Sequence, residues 1–314
     1  MRERILRIHR IDQDLRWRLQ GMGVHAGHVL KVWRRGVCVV DPRGRPIYFF
    51  GRMPLHVPFG VALDCSEDLS VGWGGLREGG PVSRHGNILW LNGKTGLGVK
   101  LDTGATVNLK WGKEDTRFRF RISESILALC RVLVSHGNFR GLVGVLDCLK
   151  SQYPEMPIDT RLTLNPYVCQ TMGAVQRLLA ARSGDLPAIF LRVSVDLVGC
   201  GPGLTPSGDD FLVGFLAAHR LCASSLVRDA HKQRWGRAFV EFARKQTTLV
   251  ASELLACAVA GRFSEILRQA CVALRDASGR PSPDNPIQRL LNWGSTSGAD
   301  TLVGLTVGLA TAKI

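Results

Sequence analysis

The sequence predicts an α+β protein: a β-rich barrel- or sandwich-like region over residues 1–115, then a mainly helical region over residues 116–314. Three observations predict it. Short β-branched and aromatic runs, punctuated by Gly/Pro/Asp turns, fill residues 28–111 with no helix-length periodic segment among them. Beyond residue 113 the apolar residues recur at helical spacing and the runs close on glycine. At 314 residues, 45% hydrophobic and 21% charged, the chain is long enough for two modest cores.

The elements follow in order. Residues 1–20, with Ile5, Leu6, Ile8, Ile11 and Leu15 loosely on one side, read as a short amphipathic helix. HVLKVWRRGVCVV, GRPIYFF, GNILWLNG and ATVNLKW read as strands, and DPRGRP, REGGPVS and DTGA as the turns between them. SESILALCRVLVSHG reads as a helix with Ser123 or Ser125 as its cap and a stop near Gly137. YVCQTMGAVQRLLAARSGD, RWGRAFVEFARKQTTLVASELLACAVAG and FSEILRQACVALRDASG read as further helices, the last two long. GADTLVGLTVGLATAKI closes the chain as a helix of small and apolar residues. LPAIFLRVSVDLVGC fits a strand by its β-branched content, and equally a helix opened by Asp185 and Pro187 and stopped by Gly199.

Charge and cysteine usage bound the function. The net charge is +15, and arginine supplies 32 of the 41 basic residues, spread along the chain. The basic residues do not interleave with aromatics in any RNA- or DNA-binding pattern, which argues against a nucleic-acid partner; an anionic small molecule or an acidic partner subunit suits the charge better. Nine scattered cysteines form no CxxC pair, which argues against zinc ribbons and dithiol chemistry and suits a reducing cytoplasm. No apolar run reaches the roughly 20 residues of a membrane helix, and the basic N-terminus lacks the apolar core of an export signal.

Two short motifs yield to plain readings. Asn92-Gly93-Lys94-Thr95-Gly96 contains the GKT of a phosphate loop, but Ile88 stands where the pattern needs glycine and no helix follows, so a hairpin turn is expected. His25 and His28 form an HxxH with no further ligand nearby, and read as a surface turn.

The stretch GCGPGLTPSGDDFLVG, residues 199–214, is different. Ser207 to Asp210 fits an S-x-x-D capping box, with Asp209 and Asp210 complementing the helix dipole. Capping does not account for Gly199, Gly201, Gly203 and Gly208, which let a backbone approach a ligand at a helix start. Residues 205–214 also echo residues 295–304: TPSGDDFLVG against STSGADTLVG, six identities in ten. Both place Ser-Gly-x-Asp before a helix with small residues four apart, Gly214/Ala218 and Gly304/Gly308, so either the two helices pack closely with their N-termini at one pocket, or both are simply well-capped core helices. In the first case the backbone of Gly201, Gly203, Leu204, Thr205, Ser207, Gly208, Ser297 and Gly298 would bind an anion such as phosphate. Asp209, Asp210 and Asp300 are the candidate catalytic groups. Their charge demands either a bridging cation such as Mg²⁺ or a ligand that offers N–H donors. No dedicated metal ligand set is legible.

The run GxGPGLTPSGDDFLxG, the later T-T-x-x-x-S-x-x-L-L helix and the C-terminal S-x-S-G-x-D-x-L-x-G resemble the AllH family, the third subunit of oxamate carbamoyltransferase. Arg34 and Arg35 resemble the paired arginine that ends the family's early strand. The resemblance implies a helix for residues 187–198. It further implies phosphate-dependent cleavage of oxalurate to oxamate and carbamoyl phosphate in purine catabolism, performed with two other carbamoyltransferase subunits. Thr247, Thr248 and Ser252 match the helix pattern only approximately. A non-catalytic assembly or regulatory subunit that binds an anionic effector is the competing expectation, with less use for Asp209 and Asp300.

Overall fold

A computed structural model describes residues 4–33, 36–51, 56–65, 75–92, 96–112, 122–135, 141–156, 165–181, 186–223, 226, 233–275 and 285–312. The Gly93–Thr95 part of the GKT turn, Arg34, Arg35, Gly137 and Asp185 lie outside these residues. The chain divides into two compact units, residues 1–109 and residues 110–314.

The first unit is a closed β-barrel. Strands β1 (Arg4–Asp12), β2 (His25–Trp33), β3 (Gly36–Val40), β4 (Pro46–Phe50), β5 (Gly60–Leu63), β6 (Pro81–His85), β7 (Ile88–Leu91) and β8 (Leu97–Lys100) run in the order β5-β4-β3-β2-β6-β7-β8-β1. Pairing of β1 with β5 closes the ring, and β9 (Ala105–Val107) takes over alongside β1 where β8 ends. Closure removes the open edges a free sheet would present. The interior holds Leu6, Ile8, Val29, Val39, Phe49, Val61, Leu89 and Val99. Leu15 and Leu19, one turn apart on helix α1 (Gln13–Gln20), join the same core.

Residues 4–12 are therefore a strand and not the expected helix. The register against β5 slips between Ile8 and Arg10, so Leu6, Ile8 and Ile11 all point inward. A bulge inserts one residue into the period of two, and the result imitates helical spacing. His25 and His28 likewise lie in β2 and not in a turn; a register slip between His25 and Gly27 leaves both exposed.

The second unit is built around two long helices, α5 (Ser207–Leu221) and α10 (Ser297–Thr311), which pack along each other. Helix α10 is buried from Gly298 to Thr311, as expected of a helix apolar on every face. Helices α2 (Ile122–Ser135), α3 (Pro166–Ala180) and α9 (Pro286–Leu291), with a 3₁₀ segment over Val143–Leu149, cover α10; α4 (Leu186–Leu197) and α7 (Leu249–Val259) cover α5. The remaining described helices are α6 (Arg234–Gln246) and α8 (Glu265–Arg275). Helix α2 starts at Ile122, so Ser123 and Ser125 lie inside it and neither caps it.

The ambiguous stretch 186–197 is helix α4. Leu186, Phe190, Val193 and Leu197 are buried at spacings of three and four, and burial on one face overrides the β-branched content. The long helix expected over residues 234–261 is instead two. Thr247 is extended (φ −129°, ψ −176°), and the Thr248 hydroxyl accepts the Ala251 N–H at 3.1 Å to cap α7. Two consecutive β-branched hydroxyl residues serve better as a cap than as a helix interior. No described helix is long and apolar enough to cross a membrane.

Candidate functional site

Helices α5 and α10 run parallel and touch through glycine. A Cβ on Gly214 would stand 1.9 Å from the Thr301 carbonyl oxygen, and one on Gly304 would stand 1.9 Å from that of Phe211. Phe211 and Thr301 hold equivalent places in the two SGxD segments, so the contact is reciprocal and the helices are related by a local two-fold axis. Gly308 continues the seam against Phe215 and Ala218. The close packing is thus present.

Parallel packing brings two positive dipole ends together, and the first turns carry Asp209 and Asp210 on α5 and Asp300 on α10. The serines and aspartates cross over. The Ser297 and Thr205 hydroxyls hydrogen-bond Asp210, and the Ser207 and Thr296 hydroxyls hydrogen-bond Asp300. Thr205 Oγ1 and Ser297 Oγ are 3.0 Å apart. The Leu142 N–H donates to Asp300 Oδ1 at 2.7 Å. One oxygen of each carboxyl remains: Asp210 Oδ2 and Asp300 Oδ2 are buried and have no hydrogen-bond partner.

The capping box does not form. Pro206 occupies the cap position and no side chain caps the helix. The Ser207 hydroxyl is directed at Asp300, and Asp210 reaches across to α10 and not back over its own first turn. In a dry junction between two helix starts, a facing hydroxyl on the partner helix competes successfully with the local backbone.

Asp209 takes a separate role. The Gly199 N–H donates to its two oxygens at 3.2 and 3.3 Å, and the Thr247 hydroxyl donates to Oδ2 at 2.5 Å. The Thr248 hydroxyl donates to the Leu204 carbonyl. Asp209 therefore ties the loop after α4 to the break between α6 and α7, where Thr247 and Thr248 supply their hydroxyls. Replacing Thr247 by Val keeps the shape and removes the donor. Thr247→Val is expected to cost about 1–3 kcal/mol of unfolding free energy at pH 7.5 in urea titrations. The cost shrinks below pH 5, where Asp209 carries its own proton.

The glycines divide as well. Gly199 (φ +75°) and Gly201 (φ +114°) turn the chain out of α4, and side chains there would meet Gln246 O at 2.6 Å and Ser207 N at 2.8 Å. Gly208 and Gly298 abut protein, with virtual Cβ atoms 1.9 Å from Leu197 O and 1.7 Å from Leu290 O. Their lack of a side chain thus serves helix packing. Gly203 alone among the loop glycines faces open space.

Most of the free donors lie in the loop ahead of α5. The N–H groups of Gly208, Asp209, Asp210, Gly298 and Asp300 are taken by the carbonyls of Cys200, Pro206, Trp293 and Thr296. Those of Gly201, Gly203, Leu204, Thr205 and Ser207 have no acceptor among the described residues. The loop, with Ser207 at the first position of α5, offers N–H groups to an anion.

Burial sets the electrostatics. Asp209, Asp210 and Asp300 are 2%, 7% and 0% exposed. Burial raises Asp300 to about 6 against the pull of the Leu142 N–H and the Ser207 and Thr296 hydroxyls. It raises Asp209 to about 6 against the Thr247 hydroxyl and Gly199 N–H. Asp210 lies well above the ordinary carboxyl range, through burial first and then the neighbouring charges of Asp300 and Asp209. The arrangement brings raised carboxyls and backbone donors into one place.

Leu142 and Gly141 escaped the sequence reading. A Cβ on Gly141 would lie 2.1 Å from Asp300 Oδ1, so glycine there makes room for the carboxylate. The partners are 158 positions apart, and no local pattern links them. Among the described residues no group of three or more His, Cys, Asp or Glu is placed to hold a metal ion.

No curated protein and no solved structure matches this chain. Residues 197–309, from the last turn of α4 through nearly all of α10, match the family model described as oxamate carbamoyltransferase subunit AllH, so the segment that builds the whole α5–α10 junction carries the AllH family signature.

Proposed function

We propose that this chain is a subunit of a cytoplasmic carbamoyltransferase complex that transfers the carbamoyl group of oxalurate to phosphate, in purine breakdown. The observation that carries the reading is a loop of unfilled N–H donors beside two buried carboxyls, on the segment that matches the family. Phosphate oxygen bonds to the carbamoyl carbon, and the bond from that carbon to the oxamate nitrogen breaks. The proton of hydrogen phosphate passes to the departing nitrogen, so atoms and charge balance. The Gly201–Ser207 N–H groups hold the anion, and Asp210 carries the proton. Two further subunits of the same enzyme class are its partners.

The test is a phosphate-dependent assay of oxamate and carbamoyl phosphate formation by the complex reconstituted with this chain. Asp210→Asn is expected to lower the rate by about 100-fold or more, with complex assembly unchanged. Full activity in that variant would remove Asp210 from the chemistry. A complex that assembles but releases no carbamoyl phosphate would favour a non-catalytic effector-binding role.

A further inference from the structure

We infer that Asp210 and Asp300 together seat a terminal NH₂ group of the ligand, of the primary amide, carbamoyl or urea type, each accepting one of its two N–H bonds. The inference rests on the reading of the site given above and supplies its recognition chemistry.

Each carboxyl has one oxygen engaged by protein, Asp300 through the Leu142 N–H and the Ser207 and Thr296 hydroxyls, and Asp210 through the Ser297 and Thr205 hydroxyls. The other oxygen of each, Oδ2, is buried and without a donor. A buried acceptor with no donor is costly, and a ligand N–H relieves that cost. The two carboxyls are related by the local two-fold of α5 and α10, which the reciprocal Gly214 and Gly304 contacts define. An NH₂ group has the same symmetry about its C–N bond, so one N–H meets each oxygen. A methyl group or ether oxygen in that place offers neither. A divalent cation asks for more hard ligands than this pair, and among the described residues no group of three acidic, histidine or cysteine side chains is placed to hold one. Asp209 takes no part, because Gly199 and Thr247 occupy its oxygens.

Carbamoyl phosphate and acetyl phosphate differ by NH₂ against CH₃ and present the same phosphate to the loop. Both are titrated calorimetrically into the full chain and into the assembled complex, with inorganic phosphate and Mg²⁺ alone as further arms. Carbamoyl phosphate is expected to bind about tenfold or more tighter than acetyl phosphate. Asp300→Asn and Asp210→Asn turn an N–H toward the ligand and erase that preference, while acetyl phosphate affinity changes by less than about threefold. Equal affinity for the two in wild type overturns the inference, whether both bind or neither does; a proton shared between the carboxyls would give that result. A preference that survives in the variants overturns it too, as does a response to Mg²⁺ alone that the variants abolish. The two readings fail separately: an active complex with no NH₂ preference sinks this inference alone, and NH₂ preference in a complex without transfer activity sinks the proposed reaction alone.

Discussion

Gly304→Ala lowers the unfolding free energy of the helical unit by about 3 kcal/mol, read as a fall in the urea midpoint of the far-ultraviolet helical signal. The added methyl would lie 1.9 Å from the Phe211 carbonyl oxygen and 2.7 Å from its carbon, both backbone atoms that no rotamer change can move. The helices must separate, and every apolar contact along the α5–α10 seam loosens with them. Gly214→Ala produces the same overlap from the other side, against Thr301 and Leu305. Because both act on one interhelical distance, the double variant costs clearly less than the sum of the singles. Gly203→Ala is the contrast: its methyl enters open space, and the cost is that of the left-handed backbone (φ +97°), about 1–2 kcal/mol. A Gly304→Ala protein as stable as wild type would mean the helices do not approach this closely.

The seam was legible because it is local and repeated. Small residues four apart on two apolar helices, each behind Ser-Gly-x-Asp, admit a close parallel pair, and the structure selects it over two separate capped helices. The barrel was legible as β structure for a similar reason: turn chemistry punctuates it. Its first strand was not, because the slip between Ile8 and Arg10 writes a helical spacing into a strand. Individual roles in the site were also beyond the sequence. Asp209 and Asp210 are adjacent, and a helix turns consecutive side chains about 100° apart, so one faces the Gly199 loop and the other faces α10. Which is which depends on Thr247 and Ser297, both distant in the chain. Gly208 and Gly298 looked like ligand-approach glycines, and helix packing explains them instead. Residues that serve backbone contact and residues that serve a ligand share one composition.

Asp300→Asn is expected to stabilise the protein at neutral pH while abolishing its selectivity. The Asp300 carboxyl is raised from 3.8 to about 6, so its folded-state pKa exceeds its unfolded value. A group of this kind leaves stability intact below about pH 4, and the stability falls as pH rises through about 6. The fall is about 3 kcal/mol for a shift of this size. Asparagine is the isostere of the protonated form, keeps an acceptor for the Leu142 N–H and adds an N–H beside Asp210. The variant and wild type should therefore unfold alike at pH 4, and the variant should gain about 3 kcal/mol relative to wild type by pH 7.5. A residual fall between pH 4 and 6 remains in the variant, because Asp209 titrates in the same window. Urea unfolding across that range reads both quantities, and a difference independent of pH would show that Asp300 is not held above its ordinary range. The gain in stability is what makes the residue informative. A buried carboxylate carries a cost of this size where an amide would fit better, and on the inference above its free oxygen offsets that cost by accepting a ligand N–H. The side-chain amide introduced by Asp300→Asn places its own NH₂ where the ligand's would lie, so the stabilised protein is the one that can no longer choose carbamoyl over acetyl.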